Sequence, residues 1–251
     1  MANFRTHIGV GVVASGMLAT LTMASSLVPS NDLIKLALVG TIGSVLPDID
    51  LQNSRASQAM FSALAMFVAF TLLFNFAWQY SIAEMWIVWV GVFVAIRYLG
   101  HNMFHKFAVH RGIFHSVIAG VFFAFVTAII FWNCYGTDPA IAWLAGAFML
   151  FGYLVHLALD EIYSVDFNNN RVKRSFGTAM KLIDSRHPKA TAAMAFAALA
   201  AFFVTPEAST FFANLTDPEV WAGLGDRLLP EGSWFGIIAD MAQIASADTL
   251  R

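Results

Sequence analysis

Seven residues of chelating type stand out along this chain: His7, Asp48, Asp50, His110, His115, His156 and Asp160. Imidazole nitrogens and carboxylate oxygens are the donors that suit a borderline divalent cation. Their spacing carries further information. His156 and Asp160 are four apart, so one helical face can present both to a single ion; an ordinary intrahelical hydrogen bond is the plainer account of that pair. Asp48 and Asp50 follow Pro47 and flank Ile49, and such carboxylates can converge on one cation. A helix stop with a solvated turn explains them equally well. The densest cluster is His110-Arg111-Gly112-Ile113-Phe114-His115-Ser116. Residues five apart lie about 140° apart around an ideal helix, so Gly112 is expected to turn the chain and bring both imidazoles inward, with His115 just inside the following helix. Arg111 offers a planar fork for phosphate or carboxylate oxygens, and Ser116 a hydroxyl for a ligand or oxyanion. Thr6 reads as an N-cap that places His7 in a first helical turn, where a lone histidine is more often interfacial than ligating.

Three histidines fall outside these clusters. His101 and His105 stand at helical spacing, with Arg97 one turn earlier. They can extend a site, but a snorkelling interfacial face is the preferred reading. His187, before Pro188, has no evident partner.

The elements that must position these residues are membrane helices. The 251 residues are 59% hydrophobic and only 12% charged, with a mean hydropathy of +0.68. Soluble domains carry about a quarter charged residues, so this chain has too little polar surface for a water-exposed globule and falls in the membrane class. A net charge of −2 gives no case for a nucleic-acid partner. The single cysteine, Cys134, cannot form an internal disulfide and reads as a small apolar filler. Apolar stretches run over approximately 8–28, 33–47, 59–77, 82–99, 113–133, 139–157 and 190–205. In lipid every backbone polar group must be satisfied within the chain, which makes these stretches helices. The expectation is an all-α polytopic transmembrane bundle, a single domain of about six or seven spans. Stretches 33–47 and 190–205 are short for a span, which wants about 20 residues. The first stretch, after Arg5, has a signal-peptide-like exit at Ala24-Ser25-Ser26, but its length favours an uncleaved helix.

With a cytoplasmic N-terminus and every stretch crossing, eleven Lys and Arg fall inside and three outside, a clear positive-inside bias. That topology puts all four clusters at the cytoplasmic ends of their helices. Residues 1–205 then form the membrane domain, with a basic cytoplasmic loop at 161–189 that determines topology or meets anionic headgroups. Residues 206–251 form a non-cytoplasmic, mildly amphipathic tail, anchored by Trp221 and Trp234.

Thr6-His7, Pro47-Asp48-Ile49-Asp50, His110-Arg111-Gly112 with His115-Ser116, and His156 with Leu159-Asp160 occur in this order over about the first 165 residues. In this the chain resembles the YdjM-like membrane-bound metal-dependent hydrolases, some known as LexA-regulated inner-membrane proteins. The resemblance implies a multi-pass bacterial inner-membrane protein with a hydrolytic divalent-metal site of one or two ions, zinc first, manganese or iron as alternatives. The family's distant likeness to zinc-dependent phospholipase C and single-strand nucleases suggests a lipid or small-molecule phosphoester as substrate. Asp48 or Asp50, if not a ligand, would act as general base, and Arg111 would hold developing phosphoryl charge. The segment after Asp160, Glu161-Ile162-Tyr163-Ser164, departs from the Thr/Gly-rich turn of many members. Two other classes compete. A metal- or proton-linked transporter calls for polar residues along the spans, which are nearly absent here. A non-catalytic scaffold with a structural metal needs only four ligands, fewer than the seven available.

Overall fold

A computed structural model describes residues 2–50, 54–76, 79–107, 113–166, 171–172 and 180–229. Among the described residues, five helices are long and apolar enough to cross a membrane: α1 (Phe4–Ala24), α3 (Arg55–Phe76), the continuous helical run Ile82–His105, α6 (Val117–Tyr135) and α7 (Pro139–Ile162). The continuous run contains α4 (Ile82–Val94), a π-helical segment at Ala95–Gly100, and the start of α5 (His101–Phe107). The two stretches that looked short give short helices, α2 (Ser30–Gly43) and α8 (Pro188–Phe202). At 1.5 Å per residue, α2 is about 21 Å long, less than the roughly 30 Å hydrocarbon core. A 3-10 turn, Leu46–Asp50, follows α2. Val165–Asp166 and Arg171–Val172 form a two-residue antiparallel ladder, and α9 (Ser209–Thr216) and α10 (Pro218–Leu228) end the described chain. The architecture is an all-α bundle.

Local sequence explains the boundaries. Ser81 and Glu84 form a reciprocal capping box at the start of α4, satisfying two amides that a helix start leaves open. Asp138 caps α7 just before Pro139, which needs no amide partner at the first helical position. Gly136 closes α6 at φ 61°, the left-handed conformation favoured for glycine.

The packing is of the membrane type. Apolar contact with lipid is as favourable as apolar contact between helices, so association relies on small residues that let backbones approach. The buried face of α1 is His7, Gly11, Ser15, Ala19 and Thr22. A side chain at Gly11 would overlap the Ser44 hydroxyl, and one at Gly152 would overlap the Gly40 carbonyl oxygen. Helices α1, α2 and α7 thus meet almost backbone to backbone, over a core of Leu36, Phe148, Tyr153 and Leu157. The α1–α2 hairpin returns the end of α2 to the start of α1, where the Ser44 hydroxyl donates to the His7 carbonyl at 3.1 Å. Short α2 therefore still delivers the Asp48 turn to the end of the bundle that carries His7.

Candidate metal centre

Helix α1 begins earlier than the Thr6 cap expected from sequence. Asn3 is the N-cap, its side-chain oxygen accepting from the Thr6 amide at 2.9 Å. His7 therefore closes the first turn, fully buried. Asp48 sits in the 3-10 turn after α2. His115 does not lie inside α6 as expected: Ser116 is the N-cap in extended conformation, so His115 is the residue before it. The reason is local. Residues 116–118 run beside the 181–182 segment, with Val117 N–H donating to the Lys181 carbonyl at 2.9 Å, which draws Ser116 out of the helix. The Ser116 hydroxyl donates to the Ile113 carbonyl. His156 and Asp160 occupy the last two turns of α7 and are both buried.

These five side chains converge from four separate parts of the chain. His7 Nε2 lies 3.3 Å from Asp160 Oδ1. His115 Nε2 is 3.6 Å from Asp48 Oδ1 and 3.8 Å from Asp160 Oδ2. His156 Nε2 is 3.7 Å and 3.8 Å from the same two atoms. Two overlapping triads result, His7–His156–Asp160 and Asp48–His115–His156, with the donor atoms of each within 4.8 Å of one another. Donors bound at about 2.1 Å to a tetrahedral ion stand about 3.4 Å apart, which is the spacing found here. The His7 and His156 rings stack at 3.8 Å between centroids, an arrangement that suits two neutral imidazoles and penalises two imidazolium ions.

The donor set also fits a cation by its unmet demands. Both ring nitrogens of His7, Nε2 of His156 and Oδ1 of Asp48 are buried without a hydrogen-bond partner among the described residues. Each such atom costs about 1–3 kcal/mol if left unsatisfied. Two carboxylates with three neutral imidazoles carry a formal charge of −2, which one divalent ion neutralises. The surrounding contacts fix the ligands as such sites require. His156 Nδ1 lies 2.8 Å from the Ser44 carbonyl. A carbonyl can only accept, so Nδ1 carries the proton and the Nε2 lone pair faces the cluster. The Ala2 amide donates to Asp160 Oδ1 at 3.0 Å.

The other expected residues divide. His110 and Arg111 lie outside the described residues, and Asp50 ends the 3-10 turn with its side chain outside them. His101 is not the snorkelling residue preferred from sequence: it is buried against α3. His187 does have a partner, Asp184, whose Oδ2 lies 2.7 Å from its Nδ1, while Lys181 Nζ reaches Oδ1 at 3.0 Å. Burial pushes the Asp184 carboxyl up, but the hydrogen bonds from His187 and Lys181 outweigh it and hold the group below the usual carboxylate range. Asp-x-x-His before Pro188 was the available signal for this pair. Nothing in the local sequence marked the Ser44 carbonyl, because that role depends on α7.

Comparison with curated proteins gives no match, and neither does comparison with solved structures. The model of one family, described as the YdjM inner membrane protein, matches residues 1–203. That span contains every helix end that contributes to the cluster, and the chain belongs to the YdjM inner membrane protein family.

Proposed function

We propose that the protein is a metal-dependent hydrolase whose centre holds one divalent ion, zinc before manganese or iron, and that it acts on a lipid or other phosphoester at the cytoplasmic membrane interface. The observation that carries this reading is the convergence of five buried nitrogen and oxygen donors at the spacing of metal ligands. His7, His115, His156, Asp48 and Asp160 would hold the ion. A single ion is favoured because His156, with its Nδ1 committed to Ser44, has one lone pair and cannot serve both triads separately. Bound there, the ion supplies Lewis-acid polarisation of a phosphoryl oxygen and acidifies a water.

The chain's own groups account for the rest. Ala2 and Ser44 orient Asp160 and His156 through backbone hydrogen bonds. Asp48 is the donor whose side chain is most open, at 11% against 2% or less for its neighbours. Where it does not itself ligate the ion, it is placed to accept a proton from an attacking water, the general-base role. The positive-inside distribution of Lys and Arg supports the cytoplasmic placement. Purified protein should carry stoichiometric zinc at this centre and hydrolyse a phosphodiester or phospholipid in a substrate panel. His115→Ala and Asp160→Ala should remove the ion of this centre and the activity with it. Absence of stoichiometric metal in the wild type sinks the proposal.

The near-complete burial of the other four donors favours a second reading, a structural metal that ties α1, α2, the start of α6 and α7 together. Structural zinc sites are closed, whereas catalytic ones keep a position for water. Cobalt-substituted protein distinguishes them: azide changes the visible spectrum of an open site and leaves a closed one unaltered.

A further inference from the structure

Helix α4 presents no buried residue, and Ile82, Trp86, Ile87 and Val90 are exposed on it. The run changes character after the π-helical segment at Ala95–Gly100. A π turn inserts a residue into the helical register and recurs at functional sites. Immediately after it, His101 is buried at 7% exposure, and its Nε2 has no hydrogen-bond partner among the described residues. His105, four residues on, lies on the same face, its ring 4.4 Å from that of His101. Opposite them is the stripe of α3 formed by Ser57, Phe61, Ala65 and Ala69, all buried. Ser57 Oγ and His105 Nε2 share a hydrogen bond of 2.9 Å, and the Phe61 ring meets His101 edge-on at 5.0 Å.

A phenylalanine or leucine at 101 would pack this seam without leaving a polar atom unsatisfied. Histidine there leaves a buried polar atom unsatisfied, which is destabilising, and a ligand that accepts the imidazole lone pair removes the cost. Two histidines at i and i+4 on one helical face form a bidentate chelate for a borderline transition-metal ion, and Ser57 lies beside them as an oxygen neighbour. We propose that His101 and His105, with Ser57, form a second transition-metal site at the α3–α5 seam, distinct from the five-residue centre. Its ligand class is a divalent ion that prefers imidazole, zinc, nickel or copper, rather than magnesium or calcium. The two sites share one connection. The Ser57 amide donates to Ser54 Oγ at 2.9 Å, and that hydroxyl reaches the Asp48 carbonyl at 3.4 Å.

The test is zinc stoichiometry on the purified full chain in detergent, by equilibrium dialysis against zinc alone followed by elemental analysis. Wild type should bind two ions, His101→Phe one, and Asp160→Ala one. The phenylalanine preserves the ring contact with Phe61, and circular dichroism with gel filtration checks that the variant is folded. If it is not, His105→Gln, which keeps a hydrogen-bonding group for Ser57, takes its place in the same measurement. The proposal is overturned if wild type binds a single ion, if the seam variant still binds two, or if Asp160→Ala binds none. Loss of one ion in Asp160→Ala, with the seam ion retained, is the result that separates the two sites.

Discussion

Replacing Gly152 with alanine puts a methyl group where α2 and α7 touch. The new Cβ overlaps the Gly40 carbonyl oxygen and stands 2.7 Å from the Gly40 carbonyl carbon and 3.0 Å from the Ser44 amide nitrogen. Those are backbone atoms and cannot rotate aside, so the helices themselves must part. Moving from 2.7 Å to an ordinary 3.4 Å contact requires at least about 0.7 Å of separation. Metal–ligand distances tolerate only about 0.2 Å. His156 lies one turn further along α7 and bonds the Ser44 carbonyl, while Asp48 follows Ser44 in the chain. Parting the helices therefore moves His156 away from Asp48 and strains its 2.8 Å hydrogen bond. The expected outcome is a stability loss of about 1–3 kcal/mol from overpacking. Zinc affinity should fall about 10- to 100-fold, the usual effect of losing outer-shell support. Competition against a chromophoric chelator reads the affinity, and a thermal melt in detergent reads the stability. Gly16→Ala, with no atom within 4 Å of the new Cβ, is the control on the same helix as His7. Wild-type zinc affinity in Gly152→Ala would refute the claim that this contact sets the donor geometry.

Zinc at 100 times the dissociation constant of the five-residue centre should stabilise the wild type by about 2.7 kcal/mol through that centre by mass action; chelation should reverse this, and Asp160→Ala should remove that contribution, as read by thermal melts at fixed protein concentration. The Asp184 carboxyl is held below its ordinary value, so its contribution is present above the unfolded carboxylate pKa of about 3.9 and fades as pH falls toward the folded value. Asp184→Asn should flatten the acid limb of the melting temperature plotted from pH 7 to 3, and an unchanged limb would show that the Lys181–Asp184–His187 contact contributes nothing. Cys134, the single cysteine, is exposed near the end of α6 opposite the centre, about 28 Å along a 19-residue helix. A membrane-impermeant maleimide should label it in intact cells if the centre is cytoplasmic, whereas labelling confined to inverted vesicles would place the centre on the other side.

The parts of this molecule that were legible in its sequence are those with local causes. Hydropathy located the long helices, and the i, i+4 relation of His156 and Asp160 was readable because both lie on one regular helix. Residue type singled out His7, Asp48 and His115; the short α1–α2 and α6–α7 turns bring His7 toward Asp48 and His115 toward His156, and the close packing of α2 on α7 joins the two pairs. The misreadings share a different cause. His101 reads from sequence as part of a snorkelling interfacial face because residue type and helical spacing do not show that α3 packs over it. His115 was placed inside α6 because nothing near it announces the Lys181 segment that pairs with Ser116. His187 had no visible partner for a related reason, since Asp184 is buried only once that segment docks. The close approach at Gly40 and Gly152 required knowing which helix faces which, and neither residue stands in a distinctive motif of its own.

The end of α2 shows how the demands of a membrane helix and of a metal ligand meet in one atom. The last carbonyls of any helix lack intrahelical partners, and in apolar surroundings each must find a donor. The Ser44 carbonyl, at the C-cap of α2, finds His156 Nδ1. That bond satisfies the helix end and, by fixing the imidazole tautomer, leaves Nε2 as a lone pair facing Asp48 and Asp160. Substitution of His156 should therefore produce two separable losses. His156→Ala removes both the ligand and the donor to Ser44. His156→Gln keeps an N–H that can reach the Ser44 carbonyl but offers a weaker ligand. If both roles reside in this residue, His156→Gln recovers much of the metal-free stability lost in His156→Ala, by about 1 kcal/mol for one restored hydrogen bond, while zinc affinity stays low in both. Equal metal-free stability of the two variants would show that the Ser44 carbonyl does not depend on His156.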